Sequence, residues 1–229
     1  MKSELINLTP ARELLKRHNQ IKEGKVFRFK GMEIVVSSDV FNPTLTKVSG
    51  FLIDNIKIPD GSRTLDMFTG SGVIALYSAK LASKVIGLDI SQKAVDCSIK
   101  NAKRLGVSNK VEFHKSNLWE YLDGKDEKFD IITANPPLLP VEPDTLLEMA
   151  IADSPGMDTN VKFLKKCRDY LTDEGCVYMA FSNACSVYVG DPVVFIRNVA
   201  EESGLYLKVI NEWDVGYEIY RILQFTRKD

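Results

Sequence analysis

From residue 64 the chain alternates between short apolar runs and longer stretches with helical spacing. The runs "RTLDMF", "KVIGLDI", "KVEFHK", "FDIITA" and "CVYMAFS" are rich in β-branched and aromatic residues and read as buried strands. Between them the apolar positions spread to every third or fourth residue. "GVIALYSAKLA", after "TGS", reads as a helix. In "SQKAVDCSIKNAKRLG", Ser91 is a capping candidate, Ala94, Val95, Ser98, Ile99, Ala102 and Leu105 make one face, and Gly106 ends it. "DTNVKFLKKCRDYLTDEG" is another helix, with Asp158 as its cap and Gly175 beyond its end. "DPVVFIRNVAEESG" has Asp191 at the cap, Pro192 at the first helical position and Gly204 at the close. "LYLKVINEWD" and "EIYRILQFTR" supply two last strands with no helix between them, which makes them antiparallel. Upstream, Ala11, Leu14, Leu15, His18 and Ile21 give residues 10–22 a weak helical pattern that Gly24 stops. "KVFRFKGMEIVV" is a hairpin around Lys30-Gly31, and "FNPTLTKVSGFLIDNI" is a loop entering a short helix.

Strands that alternate with helices imply a parallel sheet covered on both faces. The expected fold class is therefore α/β and Rossmann-like: a seven-stranded, mostly parallel sheet with helices on both faces and an antiparallel last strand. Residues 46–229 would form that domain, with residues 1–45 as a helix and hairpin appendage. Such sheets bind ligands beyond the carboxyl ends of their strands, near the switch point. The places to search are the residues after Phe68, Asp89, Lys115 and Ala134.

Composition removes several classes of function. The 229 residues are 45% hydrophobic and 27% charged, as in ordinary globular domains. No apolar run approaches the 18 or so residues of a membrane span, and the first twenty residues lack a signal-peptide core. Four cysteines without a C-x-x-C pair, and only two histidines, argue against a metal site or a disulfide framework. A reducing, cytoplasmic setting is expected. Net charge is −1, yet residues 1–30 hold eight Lys/Arg against three Glu. That excess reads either as a solvated helix face or as a basic arm for RNA or an acidic partner.

Candidate chemistry sits at the strand ends. "LDMFTGSGVIA" places Asp66, Phe68, Thr69, Gly70, Ser71 and Gly72 at a strand-to-helix turn, where glycines let backbone approach a ligand. The Gly70-x-Gly72-x-x-Ala75 spacing satisfies the dinucleotide fingerprint, which keeps a nicotinamide-dependent oxidoreductase open. Asp66 in the strand's last turn suits an ammonium-bearing ligand such as S-adenosylmethionine better than a pyrophosphate. Asp89, followed by Ile90, can accept from both ribose hydroxyls of either cofactor. Asn117 and Leu118 follow the third strand, where an amide could meet an adenine edge; Asn117 is equally a turn residue. "FDIITANPPLLP" ends a strand on Asn135 and stiffens the corner with Pro136 and Pro137. Acceptors fixed there, the Asn135 side-chain oxygen and the Pro136 carbonyl, would draw a reluctant amide or aromatic amine into line with a donor methyl.

With these motifs the sequence resembles the class I S-adenosylmethionine-dependent methyltransferases, in the branch that carries an Asn-Pro-Pro-aromatic motif. That branch includes HemK-type enzymes, which methylate the glutamine amide of peptide release factors, and enzymes acting on base amines of RNA or DNA. The resemblance runs over roughly residues 24 to 228. It implies S-adenosylmethionine lined by Asp66, Phe68, Thr69, Gly70, Ser71, Gly72, Asp89, Ile90, Asn117, Leu118 and Asn135. It also implies a catalytic corner at Asn135, Pro136, Pro137 and Leu138. The acceptor it implies is first a protein glutamine, then an RNA base amine, then a small-molecule amine or amide. Three departures stand out. Leu138 replaces the usual aromatic residue, for which Phe41, Phe68 or Phe181 would have to substitute. "NPTLTKVSG" replaces an arginine- and glutamate-bearing segment. About two dozen residues stand where bacterial HemK-type proteins carry a helical domain. That layout is closer to eukaryotic and archaeal members, which rely on a partner protein. A catalytically silent subunit is a further class, against which the intact Asn135-Pro136-Pro137 argues.

Overall fold

A computed structural model describes residues 9–20, 24–145 and 147–228. Of the basic first thirty residues, Lys2, Glu4, Lys22 and Glu23 lie outside the described residues. The chain opens with helix α1 (Thr9–Asn19) and a hairpin of β1 (Val26–Phe29) and β2 (Met32–Val35). Lys30 and Gly31, both at positive φ, make the tight turn that suits strand twist. A 3-10 turn at Pro43–Leu45 leads into α2 (Val48–Asn55).

The alternating part follows as β3 (Arg63–Met67), α3 (Val73–Ser78), β4 (Lys84–Asp89), α4 (Gln92–Arg104), β5 (Val111–Lys115) and β6 (Phe129–Ala134). A two-residue pair, β7 (Leu139–Pro140) and β8 (Ala152–Asp153), precedes α5 (Asp158–Tyr170). The chain finishes with β9 (Leu171–Ser182), α6 (Ser186–Val189), α7 (Pro192–Glu202), β10 (Leu205–Asp214) and β11 (Ile219–Arg227). The seven-stranded sheet has the order β10-β11-β9-β6-β3-β4-β5. Pairings from β9 through β5 are parallel, and β11 runs antiparallel between β9 and β10. The expected α/β class and antiparallel last strand hold; the insertion of β11 between its two predecessors is the feature that sequence order concealed.

Period-two alternation sends neighbouring strand residues into two cores. Val85, Ile131, Tyr178 and Ala180 join the cluster that includes residues of α2, α3 and α4. Leu65, Met67, Ile86, Ile132 and Val177 join the cluster under α5 and α7. The hairpin is drawn in as well: Phe29, Met32 and Ile34 belong to the first cluster.

Two helices differ from their expected bounds. α3 ends at Ser78 rather than near residue 82, because Lys80 and Leu81 donate to carbonyls three residues back and turn the chain toward β4. α5 is capped not by Asp158, its first residue, but from Asp153, whose carboxylate accepts from the backbone N–H of Thr159 and Asn160 (both 3.2 Å). It also stops at Tyr170, because buried Leu171 already pairs with Phe129 in the sheet.

Candidate active site

After β3 the connection to β4 runs to one side of the sheet, whereas β6 returns on the other, so β3 and β6 flank the switch point. The turn after β3 is wound tightly, with positive φ at Phe68 (62°), Gly70 (55°) and Gly72 (85°). A side chain at Gly72 would put its Cβ 2.9 Å from Ser98 Oγ, so glycine is required both by conformation and by space. α4 holds this turn from behind. Ser98 Oγ donates to the Gly70 carbonyl (2.8 Å) and Asn101 Nδ2 donates to the Ser71 carbonyl (3.0 Å). The same Asn101 amide closes both backbone groups of Val35 at 2.8 and 2.9 Å, tying the hairpin to the turn.

Asp66 lies beneath this turn. Its carboxylate accepts from Thr69 Oγ1 (2.7 Å), Ala75 N (3.2 Å) and Thr133 Oγ1 (2.8 Å), and the residue is fully buried. Burial pushes its pKa up to about 6, against the three hydrogen bonds that favour the charged form. It was expected to line the cofactor; instead it is enclosed by the protein and braces the loop. Gly72 also lies behind the cavity wall, as the cap of α3.

Asp89, at the end of β4, does face the cavity. One oxygen accepts from Gly70 N and the other from Ser91 N, both at 2.9 Å, which leaves further acceptor capacity on each. Burial raises its pKa, opposed by those two bonds. Ile90, Asn117 and Leu118 line the same side. Leu118 sits at φ 53°, held by Ser116 Oγ donating to its carbonyl (2.6 Å), and Asn117 Nδ2 donates to Glu120 (3.2 Å).

Across the switch point Asn135 follows β6, half-buried, and lines the cavity. Its Nδ2 donates to Ser49 Oγ of α2 at 3.0 Å. Its Oδ1, like the Pro136 carbonyl, takes no hydrogen bond among the described residues. Pro137 lines the cavity and its carbonyl accepts from Asn160 Nδ2 (2.9 Å). Asn160 also donates to Asp153 (2.8 Å), so the start of α5 clamps the proline corner. Pro136 and Leu138 lie behind the lining, and Leu138 packs against both cores rather than toward a ligand. Of the rings offered in its place, Phe41 and Phe68 line the cavity, while Phe181 is fully buried in the sheet. Phe41 is backed by His18 of α1 (6.1 Å, 12°) and Phe68 by Phe163 (5.6 Å, 64°).

Ser49, Asp153 and Asn160 were missed. Ser49 lies 86 residues from Asn135 and carried no sequence signal. Asp153 did have one, as an acid just ahead of a helix start.

These walls enclose about 390 Å³, within the range of small-molecule sites. Five carboxylates (Asp39, Asp89, Glu142, Asp153, Asp158) and one ammonium (Lys162) border it, a balance that favours a cationic ligand. An S-adenosylmethionine, with its sulfonium, ribose and adenine, fits that charge and the free acceptor capacity of Asp89. No group of metal-ligating side chains occurs among the described residues, and none of their helices is long and apolar enough to cross a membrane.

The doubly wound sheet with this cleft suits a nucleoside cofactor, and comparison with known proteins makes the chain an S-adenosylmethionine-dependent methyltransferase of class I. The methyltransferase domain family matches residues 58–225, and the chain belongs to that family. Membership closes the nicotinamide alternative. The chain is 27% identical over 164 residues to a protein of Methanocaldococcus jannaschii provisionally named a protein N5-glutamine methyltransferase, covering 69% of this chain and 80% of that one. It is 31% identical to the release factor glutamine methyltransferase of Streptococcus pneumoniae, over 66% of this chain and only 57% of that enzyme. Its fold matches a 16S rRNA methyltransferase of Thermus thermophilus, solved with AdoMet and guanosine, at a TM-score of 0.65 and 20% identity, over 91% of this chain and 52% of that one.

Proposed function

We propose that the chain transfers a methyl group from S-adenosylmethionine to a side-chain amide nitrogen of a protein, with glutamine of a peptide release factor as the first substrate. One observation carries this reading: Asn135 has its Nδ2 tied to Ser49 while its Oδ1 is left without a protein donor on the cavity wall. Relatives named for glutamine methylation support the same acceptor.

S-adenosylmethionine bound along Gly70, Ile90 and Asp89 supplies an electrophilic methyl group. The chain's own task is orientation. An amide nitrogen is a poor nucleophile because its lone pair is delocalised. Asn135 Oδ1, on the cavity wall, accepts one of its N–H bonds and turns the lone pair toward the cofactor half. Transfer of that methyl group would leave positive charge on the nitrogen, which the fixed Asn135 oxygen would stabilise. One proton would then pass from the nitrogen to solvent water. The Asn135 oxygen does not have to be a strong base.

The test is incubation of the protein with methyl-labelled cofactor and a release factor, followed by hydrolysis and mass spectrometry. Label recovered as N5-methylglutamine is the expected outcome. With total RNA added to the same incubation, label that nuclease releases from RNA, with none on protein, would overturn the reading.

A further inference from the structure

The acceptor half depends on an amide whose two ends differ in only one respect, donor against acceptor. Rotation of the Asn135 amide by half a turn would present Nδ2 to the incoming nitrogen, and two donors would then face each other. The side chain must also be held in place. Ser49 is the only described residue that hydrogen-bonds the Asn135 side chain (3.0 Å). It is 5% exposed and sits in the first turn of α2, between Val48 and Gly50. α2 is itself fixed, because Val48, Leu52 and Ile53 are buried in the core that includes α3 and α4. The hydroxyl therefore sits on a rigid element, not on a loop.

We infer that Ser49 is a positioning residue for methyl transfer: its hydroxyl anchors the Asn135 side chain through Nδ2 against α2 and leaves Oδ1 free to accept. The inference rests on the proposed nitrogen-gripping role of Asn135. An amide oxygen left free also suits a cavity that receives a cation. In the reverse setting the two amide hydrogens would point at that charge. Ser49 gives the departing "NPTLTKVSG" segment a purpose that its sequence did not announce.

The experiment compares Ser49→Ala, Ser49→Thr and Asn135→Ala under saturating cofactor and acceptor. Ser49→Ala is expected to lower kcat about tenfold, the equivalent of one hydrogen bond at about 1.4 kcal/mol, with the Kd for S-adenosylmethionine unchanged. Ser49→Thr keeps the hydroxyl and is expected to recover most of the rate. The NMR resonances of the Asn135 side-chain NH2 provide a readout independent of turnover. Slow hydrogen exchange in the wild type should become fast in Ser49→Ala, and that comparison stands even if the threonine variant does not fold. A fully active Ser49→Ala beside an inactive Asn135→Ala would overturn the Ser49 inference alone. An active Asn135→Ala would overturn the reading on which it rests. Asn135 NH2 exchange that is equally slow with and without the Ser49 hydroxyl would also contradict it.

Discussion

The two halves of the cleft are built differently. The cofactor half comes from one continuous stretch, the strand ends and turns between Asp66 and Leu118, braced by α4 through Ser98 and Asn101. The acceptor half is assembled from three distant pieces: Ser49 on α2, the corner at Asn135 to Pro137, and the Asp153–Asn160 cap of α5. A local half can be set by the βαβ units that contain it. An assembled half requires that several elements pack correctly before any residue in it points the right way. On the proposed mechanism the first would govern cofactor binding and the second transfer, and substitutions should separate the two.

The largest separation is expected at Asn135. Asn135→Ala should lower turnover by about 100-fold or more, the scale of a lost charge-stabilising group, in a steady-state methyl-transfer assay. Next comes Asp66, which braces the cofactor half from below. Its folded pKa of about 6 lies above the ordinary 3.8. This carboxyl's contribution to stability is thus complete below pH 4 and is lost as pH rises through 6. Asp66→Asn should remove that dependence. Urea titrations from pH 4 to 7 should show the variant gaining on the wild type by about 2 kcal/mol across the window. A constant difference would mean that the carboxyl is not enclosed as described.

Asn160→Leu tests the acceptor half in the same way. It leaves the Pro137 carbonyl and Asp153 short of donors, at about 2 kcal/mol, which chemical denaturation can measure. Acceptor KM should rise while cofactor affinity stays put; weakened cofactor binding would erase the division between the halves. The smallest effect is at Asp89. Asp89→Ala should weaken S-adenosylmethionine binding about tenfold, as expected for a charge-assisted hydrogen bond, with the release-factor KM unaffected.

Legibility in the sequence follows the same division. The strands, α4 with its Ser91 cap and α7 with Asp191 and Pro192 could be read directly, because their signals lie within a few residues of one another. Asp89, Gly70 and Ser71 were found by the rule that ligands sit at strand ends. That rule could not tell which way Asp66 turns. The answer depends on Thr133, 67 residues away on the neighbouring strand. Leu138 looked like the weak point of the corner, yet it packs inward. Phe41 and Phe68 supply the rings at the cavity, one from the segment after the hairpin and the other from the glycine turn itself. Position along the chain identified Asn135, whereas only packing revealed what holds it.

The most direct test of this division is the calorimetric Kd for S-adenosylmethionine on Asn135→Ala, measured on the preparation used for turnover. The predicted result is a Kd within about twofold of the wild type alongside lost transfer, since the proposed task of Asn135 is to grip the accepting nitrogen. A Kd weakened tenfold or more, or transfer that survives, would contradict it.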